Sequence, residues 1–148
     1  MPARAWWLAL QRSYANHNIE FREGGIDDQA LLPRELFDGA ADNLIQNALG
    51  KRRVQGDFAI SVGFDCSDTA RLEVRDAGRA VAAHTATELL RGPVPSDSGL
   101  GIGLYQVARQ AAACGYTLVL AHNAEGKVSF VLSGPLGPDA EPPAAASA

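Results

Sequence analysis

Between Phe58 and Val74 the apolar residues alternate: Phe58, Ile60, Val62 and Phe64 hold every second position, and Leu72 and Val74 follow between charged neighbours. A period of two marks a strand with one dry face and one wet face. The segment is predicted to be an antiparallel hairpin turning at Cys66-Ser67-Asp68, and its dry face needs a cover. Helices that can supply it lie on both sides. Pro33 suits a helix start, where its missing N–H would be unpaired anyway. From there Phe37, Ala41, Leu44, Ile45 and Ala48 form a core-facing stripe as far as about Lys51. A second helix opens at Gly99, Gly101 and Gly103, carries Leu104, Val107, Ala108 and Ala111, and stops near Gly115. A second hairpin follows, from Thr117 to Ala121 and from Lys127 to Leu132, joined through Asn123 and Gly126. Hairpin, helix, hairpin predicts an α+β sandwich with helices on one face of a mostly antiparallel sheet.

The ends are simpler. A short helix from Ala5 to about Tyr14 carries Trp6, Trp7, Leu8 and Leu10, an apolar surface that must pack on something. An extended piece, Ile19 to Phe21, leads through Gly24 and Gly25 towards Pro33. Between Asp76 and Gly99 a long loop holds one weak helical piece near Thr87 to Leu90 and then Gly92-Pro93-Val94-Pro95, which no regular element accepts. Loops of this length are functional or mobile.

At 148 residues the chain is sized for one domain, and 47% hydrophobic with 20% charged residues is enough for a real core. Its 13 basic and 17 acidic residues give a net charge of −4, which argues against a nucleic-acid partner. Cys66 and Cys114 lack the spacing of a zinc site or a disulfide framework and suit a reducing cytosol. No apolar run approaches the roughly 20 residues of a membrane span, so no membrane contact is expected of this chain. From 135 to 148 the sequence is almost all Pro, Ala, Gly and Ser, with the composition of a disordered tail.

Chemistry is expected at a few places. The run Gly99-Leu100-Gly101-Ile102-Gly103-Leu104 either serves a tight turn or lets a backbone rich in free N–H groups approach a phosphate. Asn43 and Asn47 lie four apart on one face of the first long helix, beside the apolar stripe. They are either solvated amides or neutral oxygen ligands of the kind magnesium accepts. Asp76 ends a strand just before Ala77-Gly78; it is either an ordinary turn residue or a carboxylate at a pocket mouth, outside the core, that accepts hydrogen bonds from an amine. Lys51, Arg52 and Arg53 either serve phosphates or form a solvated helix end whose charge suits the dipole.

Together, in this order, these segments resemble the ATP-binding catalytic domain of sensor histidine kinases, within the superfamily that also holds gyrase, Hsp90 and MutL. Asn43-Leu44-Ile45-Gln46-Asn47-Ala48 resembles the N box, Asp76-Ala77-Gly78-Arg79-Ala80 the first glycine box and Gly99 to Leu104 the second. The resemblance implies a two-layer α/β sandwich with a mixed sheet. It also implies that Asp76 accepts the adenine amino group, that Gly78 lets the base lie close, and that Asn47 holds magnesium with Asn43 beside it. Gly99, Leu100, Gly101, Ile102, Gly103 and Leu104 would form the hinge and phosphate-facing end of an ATP lid running from Val81 to Ser98. Lys51 joins the implied nucleotide residues, and the implied cofactors are ATP and Mg2+.

In gyrase-like ATPases a glutamate four before the magnesium asparagine activates water, whereas Asn43 cannot take a proton at neutral pH. The implied chemistry is phosphoryl transfer to a nucleophile delivered from elsewhere. The chain departs from the family pattern where Ala80 replaces a glycine, where Gly50 stands in place of a lysine with Lys51 one step later, and where the lid lacks phenylalanine. His17, His84 and His122 have no acceptor context on a helix, so the phosphoacceptor histidine is expected on a dimerisation domain elsewhere. The expected division is 1–18 as a linker helix from that missing domain, 19–134 as the ATP-binding domain and 135–148 as the tail. Expected partners are ATP or ADP, that dimerisation and phosphoacceptor domain and a response regulator, in the cytoplasm, with the parent protein either membrane-anchored or not. The other readings are a freestanding anti-sigma-factor serine kinase and a nucleotide-binding or interaction module without turnover.

Overall fold

A computed structural model describes residues 1–92 and 100–136, with the backbone alone described at 100 and 101. In chain order the elements are α1 (Ala3–Ser13), β1 (Glu20–Ile26), α2 (Arg34–Gln55), β2 (Ile60–Cys66), β3 (Thr69–Asp76), α3 (Ala83–Glu88), α4 (Leu100–Ala113), β4 (Thr117–Ala124) and β5 (Lys127–Pro135). They form one mixed sheet in the order β1-β2-β3-β5-β4, parallel only between β1 and β2. The fold is the expected α+β sandwich.

The alternation at 58–74 does what its period demands. In β2 and β3 every second side chain is buried, and the register sets Phe64 beside Leu72, Leu72 beside Leu132 and Leu132 beside Leu118. These rows share one core with Leu36, Phe37, Leu44 and Ile45 of α2 and with Leu104, Val107 and Ala111 of α4. The opposite face is charged. There Glu73 accepts hydrogen bonds from Arg71, Arg75 and Ser129.

The helix at the start of the chain belongs to this core. Trp7 is 1% exposed and stacks on Phe64 with ring centroids 5.3 Å apart, while Trp6 meets Phe37 edge-on at the same distance. Their indole N–H groups donate to Glu23 and Asp38, each at 3.0 Å. Helix α1 thus packs on both the sheet and α2, which is what its apolar surface required.

Several element ends differ from expectation. Strand β1 runs through Gly24 and Gly25 with a register shift, because the Asp65 carboxylate crowds Gly24 and accepts the Gly25 N–H at 3.2 Å. Helix α2 continues one turn past Lys51 to Gln55. Helix α3 begins at Ala83, before the expected Thr87. Strand β4 extends to Ala124, which places Asn123 in the strand and leaves the turn to Glu125 and Gly126. Gly99, part of the lid and all of the tail beyond Leu136 lie outside the described residues.

Candidate functional site

Asp76 is the only charged residue at the core-facing positions of β2, β3 and β5, where it continues the row that pairs it with Ile60 and Val128. It is 3% exposed. This corrects the expectation of a carboxylate outside the core, since the strand end is roofed by the last turns of α2. A buried carboxylate must be paired. Its Oδ1 accepts the Gly78 backbone N–H at 2.9 Å and Lys51 Nζ at 2.8 Å.

Lys51 is thus not a solvated cation at a helix end. Its ammonium donates also to the Arg79 carbonyl at 3.0 Å. One turn later on α2, the Gln55 Oε1 accepts the Arg79 N–H at 2.9 Å. Gly78 itself has no room for a side chain, because a Cβ there would lie 2.9 Å from both Gln55 Oε1 and the Phe58 ring. The closeness at Gly78 in this structure is to these two side chains.

The turn of the second hairpin holds the same loop from the other side. Gly126 N–H donates to the Gly78 carbonyl at 3.0 Å. The Asn123 side chain accepts the Val81 N–H at 2.7 Å and donates to the Val81 carbonyl at 2.9 Å, completing both of that residue's backbone groups. The loop 77–81 is therefore strapped between α2 and the β4–β5 end.

At four-residue spacing, Asn43, Asn47, Lys51 and Gln55 lie along one face of α2. Asn43 Nδ2 donates to the Gly39 carbonyl at 2.8 Å, and its oxygen points at α4, where a Cβ on Gly103 would lie 2.0 Å from it. The glycine at 103 thus lets α4 press on α2. Leu104 is buried in the core and Ile102 is half exposed. Of the rest of the second glycine run, only the backbone of Leu100 and Gly101 is described, as the first turn of α4. Asn47 is half-buried midway along the stripe, and its amide makes no hydrogen bond among the described residues. Its carboxamide is a neutral oxygen donor of the kind a hard divalent cation accepts.

The expected residues thus fall into one region, with Asn43, Asn47 and Lys51 on α2, Asp76 and Gly78 at the end of β3, and Gly103 at the start of α4. Sequence reasoning missed Gln55, Phe58 and Asn123. Gln55 continues the four-residue spacing and is found by extending the helix one turn; nothing in the sequence marks Asn123 as a strap. A cavity of 290 Å³ at the strand end is lined by Glu20, Arg22, Ser61 and Arg75 together with Asp76 and Ala77, and Asn43, Asn47 and Lys51 take no part in it. His17, His84 and His122 are all exposed. Among the described residues no helix is long and apolar enough to cross a membrane.

No protein-family profile matches the chain. No curated protein matches it in sequence. Solved structures do match in fold. The nucleotide-free catalytic domain of histidine kinase ThkA shares 20% identity at a TM-score of 0.63, over 93% of this chain and 92% of that one. Full-length ShkA in complex with AMPPNP aligns over 93% of this chain and 31% of its own, at 17% identity and a TM-score of 0.74. The Acinetobacter baumannii histidine kinase AdeS aligns over 93% of this chain and 66% of its own, at 17% identity and a TM-score of 0.66. ThkA is matched also in its complex with the response regulator TrrA, at 18% identity and a TM-score of 0.62, over 92% of this chain and 40% of that one. The fold is that of histidine kinase catalytic domains.

Proposed function

We propose that this chain is the ATP-binding catalytic domain of a two-component sensor histidine kinase. The observation that carries the reading is the placement of Asp76. A buried carboxylate at a strand end, facing a helix that carries Asn43 and Asn47, occurs here within the fold of such domains. Asp76 would accept the adenine amino group. Asn47 would hold Mg2+, which when bound neutralises charge on the phosphates. Asn43 has no proton-accepting group at neutral pH, so the site is built to position a phosphoryl group and leaves water unactivated. The nucleophile would be a histidine on a dimerisation domain, with a response regulator as the next acceptor, in the cytoplasm.

Gly78 and the second glycine run would serve the nucleotide through their backbone, with Gly101 and Gly103 at the N-terminal turn of α4, where free N–H groups favour anions. The test is incubation of the chain with γ-labelled ATP, Mg2+ and a separately produced histidine-bearing dimerisation domain. Acid-labile, base-stable label on that domain supports the reading. Acid-stable label on a serine of an antagonist protein would favour the anti-sigma-factor serine kinase, and nucleotide binding with no transfer to either would favour a module without turnover.

A further inference from the structure

The segment that follows Asp76 is held by groups from outside it. Asp76 Oδ1 accepts the Gly78 N–H at 2.9 Å, so the direction of the carboxylate is tied to where the Gly78 backbone lies. The next peptide, between Gly78 and Arg79, is gripped at both ends. Its carbonyl accepts the Gly126 N–H at 3.0 Å, and its N–H donates to Gln55 Oε1 at 2.9 Å. Gln55 is the last residue of α2 and is exposed, where a glutamine with no task would keep its rotamer freedom in water. Here its oxygen is seated against the loop, since a Cβ on Gly78 would lie 2.9 Å from it. Lys51 and the Gly78 N–H both fall on Oδ1 of Asp76, and Asp76 also lines the 290 Å³ cavity at the strand end, so a ligand amine has the second oxygen, Oδ2, to meet.

We propose that Gln55 is a positioning residue that sets the selectivity of the site for a base carrying an exocyclic amine. It touches no ligand; it fixes the peptide after Gly78, and that peptide fixes Asp76. This rests on the nucleotide reading above and adds to it the residue that holds the amine acceptor in place. Gly78 is the reason a second grip is needed. It has no side chain to limit its backbone, and with Gly126 alone the peptide is pinned at one end and can turn. A turn there moves the Gly78 N–H, and with it the carboxylate oxygen that the N–H holds. With Gln55 in place that ordering is complete in the folded chain; without it, the cost falls on the ligand. Only a ligand that uses Asp76 bears this cost, because a base with no amine makes no demand on the direction of the carboxylate.

The experiment is calorimetric titration of the original chain and of Gln55→Met, both with Mg2+, using ADP and purine riboside diphosphate, which is ADP without its exocyclic amino group. Methionine matches glutamine in length and cannot accept the Arg79 N–H; each protein is first checked for cooperative thermal unfolding. The original chain should prefer ADP. In Gln55→Met, ADP should bind about fivefold more weakly, the scale of one neutral hydrogen bond. The amine-free nucleotide should bind as before, so the preference for the amine falls by the same factor. A merely structural role weakens both ligands in parallel; that result would overturn the proposal, as would unchanged ADP binding. Equal affinity of the original chain for the two nucleotides would also overturn it, while nucleotide binding itself stood. No ADP binding by the folded original chain would refute the nucleotide reading and the inference together.

A second measurement needs no ligand. The Arg79 amide should exchange faster with solvent in Gln55→Met, while the Ala77 amide, which donates to the Ala59 carbonyl at 3.0 Å, keeps its rate. An Arg79 amide that exchanges alike in both proteins would overturn the proposal.

Discussion

Gly103 and Asn43 touch with no space for a methyl group between them: a Cβ on Gly103 would lie 2.0 Å from the Asn43 oxygen, and that side chain is tethered through its amide nitrogen to the Gly39 carbonyl. The contact joins two of the sequence boxes directly. It sets the distance between α2, which carries the residue proposed to hold the metal, and the start of α4.

Gly103→Ala should therefore act through Asn43. Either the amide leaves Gly39 or α4 moves outward, and overpacking of this kind costs about 1–3 kcal/mol. Adding Asn43→Ala to Gly103→Ala should recover part of the lost stability, and chemical denaturation of the two single variants and the double variant measures the coupling. Strict additivity would show that the two residues do not meet.

Trp7→Ala should destabilise the domain by about 3–5 kcal/mol, the usual range for removing a buried aromatic. Trp7 is 1% exposed and stacks on Phe64 of the central sheet. A variant that unfolds like the original chain would mean that α1 is a detachable linker. Thermal unfolding followed by circular dichroism decides.

Asn123→Ala removes both hydrogen bonds to Val81 while leaving the sheet register untouched. Amide exchange should accelerate at residues 79–83, with only a small change in melting temperature because Asn123 is exposed. Unchanged exchange there would show that the strap is not what fixes this segment.

On the charged face of the sheet, burial works to raise the Glu73 pKa, but hydrogen bonds from Ser129 and Arg75 and the charges of Arg75 and Arg71 outweigh it and hold the carboxyl below its ordinary range. A carboxylate with a depressed folded pKa contributes stability above its unfolded pKa and loses it as pH falls through the folded value. Glu73→Gln should therefore be less stable than the original chain at neutral pH, and the gap should narrow as the pH falls below about 4.3, the ordinary glutamate value. Denaturation curves from pH 7 to pH 3 measure it; a gap independent of pH would contradict the assignment.

The fold was readable wherever burial alone decides the pattern. The alternation from Phe58 to Val74 and the stripe from Phe37 to Ala48 each have one dry face, so the hairpin, the long helix and their packing follow from period. Element ends were less legible because polar contacts set them. Gly24 and Gly25 look like a loop until Asp65 is placed beside them, and α2 continues past Lys51 because Lys51 and Gln55 both have a loop to hold. The site residues were legible as a set of segments, but their protein partners were not. A sequence shows Asp76 next to Gly78; it does not show that a lysine 25 residues earlier reaches the same carboxylate oxygen.

The most direct test of the nucleotide site is calorimetric titration of the chain with ADP and with a non-hydrolysable ATP analogue, with and without Mg2+, in the original chain, Asp76→Asn and Asn47→Asp. Asp76→Asn keeps the shape of the side chain and removes the charge proposed to accept the adenine amino group. The account predicts binding that strengthens with Mg2+, is lost in Asp76→Asn, and responds to Mg2+ differently in Asn47→Asp. Unchanged affinity in a folded Asp76→Asn, or no binding at millimolar nucleotide by the folded original chain, would contradict it.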